Sequence, residues 1–314
     1  MSTPPRLQSG LEHGLPPGLT TRPLTLHDVT AVLAVMVAEE QAELGYAETA
    51  EADILGDWQR PSVDLSRTTL GVLDDEVLVA YAEMAGADVG YANVHPHHHR
   101  RGIGTWLAHW LVTKAHSAGS AAIGAQVLEG GSADRLLATL GWEPRWTAWD
   151  LSLPEGAEIT ARPLPSGYTC RNATPGDQVA VWTVLEDAFL EWSDRERQSL
   201  EDFASRVWLR PDTEPWHVRV IADPDGVVVG ATHVFLAGED GYVNKIGVRP
   251  DQRGLGLGRS MLADAFATAR SHGAVRSHLS TDSRTGALGL YEGVGMVVVS
   301  TWVNRAAAVG SAEY

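Results

Sequence analysis

One spacing recurs along the 314-residue chain. Four pairs of turn-forming residues lie 154 positions apart: Pro96 and Pro250, Gly102 and Gly256, Gly104 and Gly258, and Gly141 and Gly295. Near the start of each half the spacing is 149, as in Asp28 and Asp177. A constant register through residues that shape turns predicts two copies of one fold rather than a single large domain.

The order of predicted elements is the same in both halves. Strands that alternate with amphipathic helices indicate an α/β fold with a mixed sheet, present in two copies. In the second half the elements are a strand at 168–171, helices at 175–190 and 200–209, a hairpin over 217–236, a strand at 242–248, a helix at 256–272, a strand at 275–280, a helix at 286–292 and a strand at 296–303.

The domain boundaries follow from composition. Residues 153–167 contain three prolines and two glycines, which is typical of a linker. The first residues are also rich in proline and glycine and lack the apolar block of a signal peptide. We therefore predict a flexible tail at 1–19, an N-terminal domain at 20–153, a linker at 154–167, a C-terminal domain at 168–306 and a second tail at 307–314.

Charge and composition exclude several classes of partner. The chain carries 24 Lys and Arg against 40 Asp and Glu, so we expect no nucleic-acid partner, because such binding needs basic side chains that neutralise phosphates. The single cysteine, Cys170, excludes an intrachain disulfide and suits a cytoplasmic location. The sequence contains no run of about 18 apolar residues, so we predict no membrane span. Adjacent histidines at 95 and 97–99 have no acidic residue at ligand spacing, so we predict no metal site.

Alternating glycines follow the predicted strand at 242–248. Gly254, Gly256 and Gly258 let the chain turn tightly at the start of a helix, where free backbone N–H groups favour a bound phosphate. A P-loop is excluded because no lysine follows Gly258. The dinucleotide fingerprint is excluded because the spacing is G-x-G-x-G and His278 stands near the position of the required acid.

This segment resembles the pyrophosphate loop of the GNAT superfamily of acyl-CoA-dependent N-acetyltransferases. The family pattern is V-x-P followed by [QR]-x-x-G-x-[GA] at the start of a helix, and it is matched at Val248, Pro250, Arg253, Gly256 and Gly258. Downstream, the run ALGLYEGVGM at 287–296 resembles the family's A-x-x-L-Y-E-x-x-G-[FM] segment. The two motifs stand in the family's order, so the chain is identified as a tandem member of it.

The resemblance implies which residues carry the reaction. In the family, backbone N–H groups of the central strand hold the thioester carbonyl of acetyl-CoA, the loop holds the pyrophosphate, and a tyrosine protonates the leaving thiolate. Tyr291 matches that general acid. The implied cofactor-binding residues are Ile246, Gly247, Val248, Arg253, Gly254, Leu255, Gly256, Leu257, Gly258 and Arg259.

The general base is not identified by the motifs. In mycothiol synthases, which are tandem members of similar length and layout, a strand glutamate would fall at or near Tyr242, and this chain has no carboxylate between 241 and 250. His233 is one candidate, because histidine has the ordinary pKa best suited to accepting a proton near neutral pH. The alternatives left open are Glu239, Asp240, Asp282 and a relay through water.

The first copy departs from the family pattern. His99 stands in place of Arg253, Arg100 in place of Gly254, and Leu137 in place of Tyr291. Because the tyrosine is missing, we predict that the N-terminal copy is not catalytic, although backbone amides of its loop could still hold a pyrophosphate. The residues of this possible second CoA site are Val94, Arg100, Arg101, Gly102, Ile103 and Gly104.

The resemblance implies a function for the C-terminal copy. We expect direct transfer of an acetyl group from acetyl-CoA to the amine of a small molecule, without a metal. Nine acidic residues against four arginines between 186 and 214 would attract a cationic amine, although a solvated acidic surface explains them equally well. Two alternatives remain: acetylation of a cysteinyl amine, as in mycothiol synthases, and a non-catalytic acyl-CoA-binding regulator. The sequence gives no indication of the oligomeric state.

Overall fold

The computed structural model describes residues 14–47 and 49–310. The chain divides into two compact units, and neither is a continuous stretch of sequence. Of the described residues, the N-terminal unit contains 14–47, 49–58, 63–147 and 301–310. The C-terminal unit contains 59–62 and 148–300. The predicted tails lie partly outside the described residues. Among the described residues, the first strand begins at Leu19, the last position of the predicted N-terminal tail.

The N-terminal half of the chain forms helices and strands in alternation. An antiparallel sheet in the order β1-β2-β3-β4 is followed by β5, which is joined to the end of the loop before β4 by a single parallel bridge between Val89 and Gly124. The elements are β1 (Leu19–Arg22), α1 (Val29–Glu43), α2 (Glu51–Trp58), α3 (Leu65–Thr68), β2 (Thr69–Asp74), β3 (Val77–Met84), β4 (Gly90–Val94), α4 (Ile103–Ser117), β5 (Ala122–Leu128), α5 (Ser132–Thr139) and β6 (Glu143–Ser152).

The C-terminal half repeats this order. Its strands pair as β7-β8-β9-β10-β11-β6, and only the β10–β11 pair is parallel. The elements are β7 (Thr169–Asn172), α6 (Gln178–Leu190), α7 (Leu200–Val207), β8 (Val218–Ala222), β9 (Val228–Ala237), β10 (Asp240–Val248), α8 (Leu257–Ser271), β11 (Arg276–Asp282), α9 (Leu288–Glu292) and β12 (Val297–Ala308). The predicted α/β class and the predicted order of elements agree with this structure.

The residues repeated at a spacing of 149 cap the first long helix of each half. In both copies an aspartate ends a 3₁₀ turn, accepts the backbone N–H of a threonine three residues earlier and pairs with both terminal nitrogens of an arginine. The carboxylate therefore satisfies donors at the helix start and carries negative charge where the helix dipole favours it. The sets are Arg22, Thr25 and Asp28, and Arg171, Thr174 and Asp177.

Separate apolar cores support the two units. In the N-terminal unit α4 buries Leu107 and Leu111 against the sheet. In the C-terminal unit α8 buries Leu262 and Phe266 against Val234 and other strand residues. Each of these helices follows the glycine loop of its copy, so helix packing fixes where each loop ends.

The last strand of each copy belongs to the other compact unit, so the units differ in their bounds from the predicted domains. Residues 148–152 of β6 pair with 278–282 of β11, whereas residues 302–308 of β12 pair with 122–128 of β5. The predicted C-terminal domain therefore loses 301–306, which join the N-terminal unit, and gains 148–153. The predicted tail also begins later, because β12 continues to Ala308. An alternating apolar pattern specifies a strand but not its neighbour, so the exchange is invisible in the sequence.

The predicted linker at 154–167 is packed rather than free. Ile159 is buried in the core that includes α8. The carbonyl of Thr160 accepts from Arg259, and the carbonyl of Arg162 accepts from the hydroxyl of Ser260. The segment is therefore part of the C-terminal unit and supports the first turn of α8.

Candidate active site

The central strands of the C-terminal unit separate halfway along their length. β10 pairs with β11 only from Asp240 to Val243, and a bulge at Val243–Lys245 follows. Beyond it, Ile246–Val248 pair with β9 alone. Their backbone groups on the β11 side are therefore available to a ligand in the gap, as expected for the strand residues implied to hold the thioester.

The loop after β10 is shaped for an anion. Gly254 and Gly256 have φ angles of +79° and +81°, which are unfavourable for residues with a Cβ. Gly256 caps α8, and the first helical bond is donated by the backbone N–H of Ser260. The preceding N–H groups of α8 thus have no intrahelical partner, and the helix dipole adds positive potential there. A Cβ on Gly258 would meet no atom within 4 Å, so the first turn borders open space.

The two arginines assigned to the cofactor are anchored to the protein. Both terminal nitrogens of Arg253 lie 2.7 Å from the carboxylate oxygens of Glu191, and its Nε donates to the carbonyl of Val248 at 3.2 Å. Arg259 Nε donates to the carbonyl of Thr160 at 2.9 Å. These contacts hold the loop in place, so the backbone amides are its principal anion donors. Leu255 is exposed at the tip of the loop, whereas Leu257 is buried beneath it.

Tyr291 lies on α9 and is nine-tenths buried. It belongs to the same apolar cluster as Leu262 and Phe266, against which Ile246 of the separated strand also packs. Burial raises the pKa of Tyr291 to about 12, so the phenol stays protonated at neutral pH. Among the described residues its hydroxyl has no hydrogen-bond partner. The group is therefore a neutral donor that is free to bond to a ligand.

His233 lies in the interior of the C-terminal unit. Its side chain is fully buried on β9, and its Nδ1 is 3.3 Å from the amide nitrogen of Asn244. Burial, with the nearby charge of Lys245, lowers the pKa of His233 well below its ordinary value. The ring is thus a weak proton acceptor, and its environment favours a packing role over the expected role as base.

The carboxylates left open as alternatives are already engaged. Asp240 and Glu239 pair with Arg276, and Asp282 pairs with Arg284. The acidic stretch at 186–214 is similarly compensated. Three of its members pair with arginines: Glu186 with Arg195, Asp187 with Arg197 and Glu191 with Arg253. Its attraction for a cationic amine is therefore weaker than a count of acidic residues suggests.

A polar row on the sheet was missed by the sequence analysis. The hydroxyl of Tyr242 donates to Ser280 Oγ at 3.0 Å, and Ser280 donates in turn to Asp150. Asp150 also accepts from Ser300. The row connects Tyr242, near which the resemblance implied a glutamate, to a carboxylate on β6. Asp150 was overlooked because β6 comes from the sequence of the first copy, and nothing in that sequence names its partner strand.

The N-terminal unit contains a cavity of about 280 Å³ beyond the point where β4 and β5 are bridged. Strand, loop and helix residues on both sides of the separation contribute to it, and most of its walls are apolar. The lining residues are Glu39, Ala92, Val94, His98, His99, Arg100, Gly102, Gly104, Thr105, Ala108, Leu111, Ala125, Ser132, Ala133, Leu136 and Leu137.

The loop beside this cavity keeps the backbone path of its counterpart. Arg100 adopts φ +60° where the other copy has a glycine, and Gly102 adopts φ +84°. His99 Nε2 lies 2.8 Å from the carbonyl of Val94, the contact that Arg253 makes in the other unit. Of the six residues assigned to a second CoA site, Val94, Arg100, Gly102 and Gly104 line the cavity. The other two do not: Ile103 is in the core and Arg101 pairs with Asp74.

Two negative findings apply to the described residues. None of the groups of histidine, cysteine, aspartate and glutamate within 14–47 and 49–310 is arranged to hold a metal ion. In the same part of the chain, no helix is both long and apolar enough to cross a membrane.

Comparison with known proteins identifies the class of this fold and site. The sequence profile of the acetyltransferase (GNAT) family matches residues 179–296. A mycothiol acetyltransferase of Salinispora arenicola is 32% identical over 248 residues, which cover 73% of this chain and 78% of that protein. A mycothiol acetyltransferase of Thermobispora bispora is 30% identical over 231 residues, which cover 69% of this chain and 75% of that protein. The chain belongs to the GNAT acetyltransferase family and is an acyltransferase.

Solved structures are similar over both units. A GCN5-related N-acetyltransferase from Sphaerobacter thermophilus has a TM-score of 0.71 at 25% identity and covers 94% of this chain and 97% of its own. A tandem GNAT protein from the clavulanic acid biosynthesis pathway has a TM-score of 0.68 at 18% identity and covers 94% of this chain and all of its own. The fold is thus a tandem pair of GNAT-like domains.

Proposed function

We propose that the C-terminal unit transfers an acetyl group from acetyl-CoA to the amine of a small molecule in the cytoplasm. The observation that carries the proposal is the separation of β10 and β11 after Val243, which leads directly into a glycine loop at the start of α8. Backbone N–H groups there would hold the pyrophosphate and the pantetheine arm. A gap between parallel strands beside an anion site fits a long thioester with a charged end.

Two residue groups would serve the reacting bond. A backbone N–H within Ile246–Val248 would donate to the carbonyl oxygen as negative charge develops on it. The hydroxyl of Tyr291 would give its proton to the sulfur as the C–S bond breaks. Its burial and its lack of a competing partner support that role.

We infer that the proton of the amine leaves through the polar row. The nitrogen attacks the thioester carbon, and its proton passes to Tyr242 Oη while the phenolic proton moves through Ser280 to Asp150. The path links Tyr242, on a strand without a carboxylate at this position, to the carboxylate of Asp150. His233 remains the alternative acceptor by residue type, although burial lowers its pKa well below the ordinary value.

The base is tested by variants of the full chain with acetyl-CoA and a panel of small amines, following the release of free thiol. Asp150→Asn and Ser280→Ala should each lower kcat at least tenfold with a smaller change in KM, and should alter the shape of the pH–rate profile. Asp225→Asn, in an exposed turn, is the matched control. A large loss in His233→Gln with normal rates in the other variants would assign the base to His233 instead.

The cofactor site is tested by Gly256→Glu. A glutamate at φ +81° is strained, and its Cβ would lie 3.2 Å from the Arg162 side chain. We expect loss of turnover together with weaker binding of acetyl-CoA by calorimetry. Unchanged turnover would mean that the loop does not hold the cofactor.

The acceptor is proposed as a small primary amine, and the relatives favour one particular class. Because relatives at 30–32% identity are mycothiol acetyltransferases, a cysteinyl amine on a sugar conjugate is the first acceptor to assay. A faster reaction with other amines would separate this chain from those relatives. Tight binding of acetyl-CoA without turnover on any amine would favour a regulator instead.

We also propose that the cavity of the N-terminal unit binds a second acyl-CoA. The loop at 99–104 repeats the positive φ angles of its counterpart, and the cavity lies beside it. Calorimetry should then give two equivalents of acetyl-CoA per chain, and Gly102→Glu should remove one of them.

A further inference from the structure

Glu39 is a carboxyl group inside the cavity of the N-terminal unit. It lies on α1 and lines the cavity together with the loop at 98–100. Its Oε2 accepts a hydrogen bond from Asn93 Nδ2 at 2.5 Å. Half of the sixteen lining residues are alanine, valine or leucine, and Glu39 supplies the acidic group of the lining. The other polar side chains of the lining are His98, His99, Arg100, Thr105 and Ser132.

The surroundings of Glu39 make it suitable for proton transfer. Burial raises the pKa of Glu39 to about 7, and the bond from Asn93 and the nearby ring of His99 oppose that rise. The other charged or titratable groups that face it are Glu43 on its own helix, Tyr81 on β3, and His98 and Arg100 along the cavity. At neutral pH the carboxyl group is therefore present in both protonation states and can accept a proton and return it.

The fold itself does not require this polar pair. The repeat spacings place Ala188 at the position of Glu39 and Gly247 at the position of Asn93. In the C-terminal unit these two residues pack directly together, since a Cβ on Gly247 would lie 3.0 Å from the Ala188 methyl. The same backbone thus closes with small apolar residues. A carboxyl group that lines a largely apolar cavity and that the fold does not need indicates a role in function.

We propose that the N-terminal unit is a second acyl-transfer centre in which Glu39 is the catalytic base. The proposal rests on binding of acyl-CoA in that cavity. A neutral amine attacks the thioester carbon, the new C–N bond forms, and the nitrogen proton passes to the Glu39 carboxylate. The C–S bond then breaks, and Glu39 returns the proton to the thiolate, giving an amide and free CoA with no further reactant. One carboxyl group would thus replace the separate base and acid, which suits a site with Leu137 in place of the tyrosine.

The cavity also limits the acceptor. Its volume of about 280 Å³ must hold the acyl end and the reacting amine, so the acceptor should be small. The apolar walls of the cavity favour an acceptor with an apolar body. The Glu39 carboxylate favours an acceptor whose amine is positively charged as it enters. The expected class is a small primary amine without an acidic group.

The experiment uses the full chain with Tyr291→Phe, which slows the C-terminal unit. Acetyl-CoA is offered with tyramine or glucosamine, and thiol release is followed from pH 5 to 9. The residual rate should rise along one ionisation near pH 7. Adding Glu39→Gln should lower that rate at least tenfold and remove the inflection, and Glu39→Asp should restore part of it. The glutamine of Glu39→Gln keeps the size of the side chain and can still accept the hydrogen bond from Asn93. Thermal unfolding checks that the variant is folded.

The control is Glu40→Gln, which removes one charge from the next position of α1 and should leave the residual rate unchanged. A residual rate that Glu39→Gln does not lower would overturn the proposal. It is also overturned if no residual rate is found while calorimetry shows two bound equivalents of acetyl-CoA. Failure of the C-terminal assignment is read separately, from a normal rate in Tyr291→Phe alone.

Discussion

The two units share one backbone arrangement but differ in the side chains placed on it. In the C-terminal unit, Ala188 and Gly247 pack together beneath the separated strand, and Tyr291 supplies a protonated hydroxyl group. In the N-terminal unit, Glu39 and Asn93 are hydrogen bonded at those positions, and Leu137 replaces the tyrosine. Duplication therefore kept the backbone path, while the side chains that we propose for proton transfer diverged. A missing tyrosine alone is weak reason to call a copy inactive.

The largest effect should come from the acid. Tyr291→Phe should lower kcat by roughly 10²- to 10³-fold, because the thiolate then leaves without a proton donor, with little change in KM for acetyl-CoA. Leu137→Met in the N-terminal unit should leave this rate unchanged. Rapid-mixing measurement of thiol release distinguishes the chemical step from product release. Equal losses in both variants would contradict the difference between the units.

The next effect concerns the exchanged strand. Arg305 on β12 bonds to Asp134 and to the carbonyl of Trp142, all within the N-terminal unit. Arg305→Ala should cost about 3 kcal/mol, since it leaves the buried Asp134 without its ion-pair partner. Hydrogen exchange should show lost protection in β5 but not in β11. The reverse pattern would mean that β12 belongs with the second copy.

A smaller effect separates the two clefts by pH. The folded pKa of Glu39 is about 7, whereas an unfolded glutamate has about 4.3. The ionised Glu39 side chain thus destabilises the fold. This destabilisation is absent at pH 4, grows as the pH rises from the unfolded pKa to the folded pKa, and is complete above pH 7. Glu39→Gln should stabilise the chain at pH 8 by about 2 kcal/mol relative to pH 4, after allowance for partial exposure. Urea unfolding at both values measures it, and Ala188→Gln should show no such dependence.

The smallest effect concerns the glycines that begin the two helices. Gly258→Ala should stabilise α8 by up to about 1 kcal/mol, because its Cβ meets no atom within 4 Å and alanine favours helix. It should also raise KM for acetyl-CoA, since the methyl group projects towards the anion site. Gly104→Ala should destabilise instead, since its Cβ would lie 2.8 Å from Leu136. Thermal unfolding and steady-state kinetics check both, and equal stability changes would remove this contrast.

Much of the fold was predictable from local patterns. The helix at 257–271 and the strand at 240–248 match their predicted positions within two residues, because apolar periodicity and flanking glycines act locally. Family membership was predictable for the same reason, since Arg253, Gly256 and Tyr291 stand at set distances within two short motifs. The roles of Tyr291 and of the loop stay predictions until they are measured.

Other parts of the site depended on contacts between distant segments. His233 is suited by residue type to accept a proton, but full burial removes that suitability. Asp150 reaches Ser280 only because β6 pairs with β11. Glu39 and Asn93 are 54 positions apart, and neither belongs to a motif. No local pattern reports such pairs.

The sequence by itself determined that the protein is a duplicated GNAT fold, through a repeat of turn-forming residues and two motifs with local physical meaning. The tertiary structure decided which strand completes each sheet, which carboxyl groups are paired and which one lies in a cavity. The reason is physical: backbone preferences depend on neighbours in the chain, whereas strand partners, burial and pKa depend on neighbours in space.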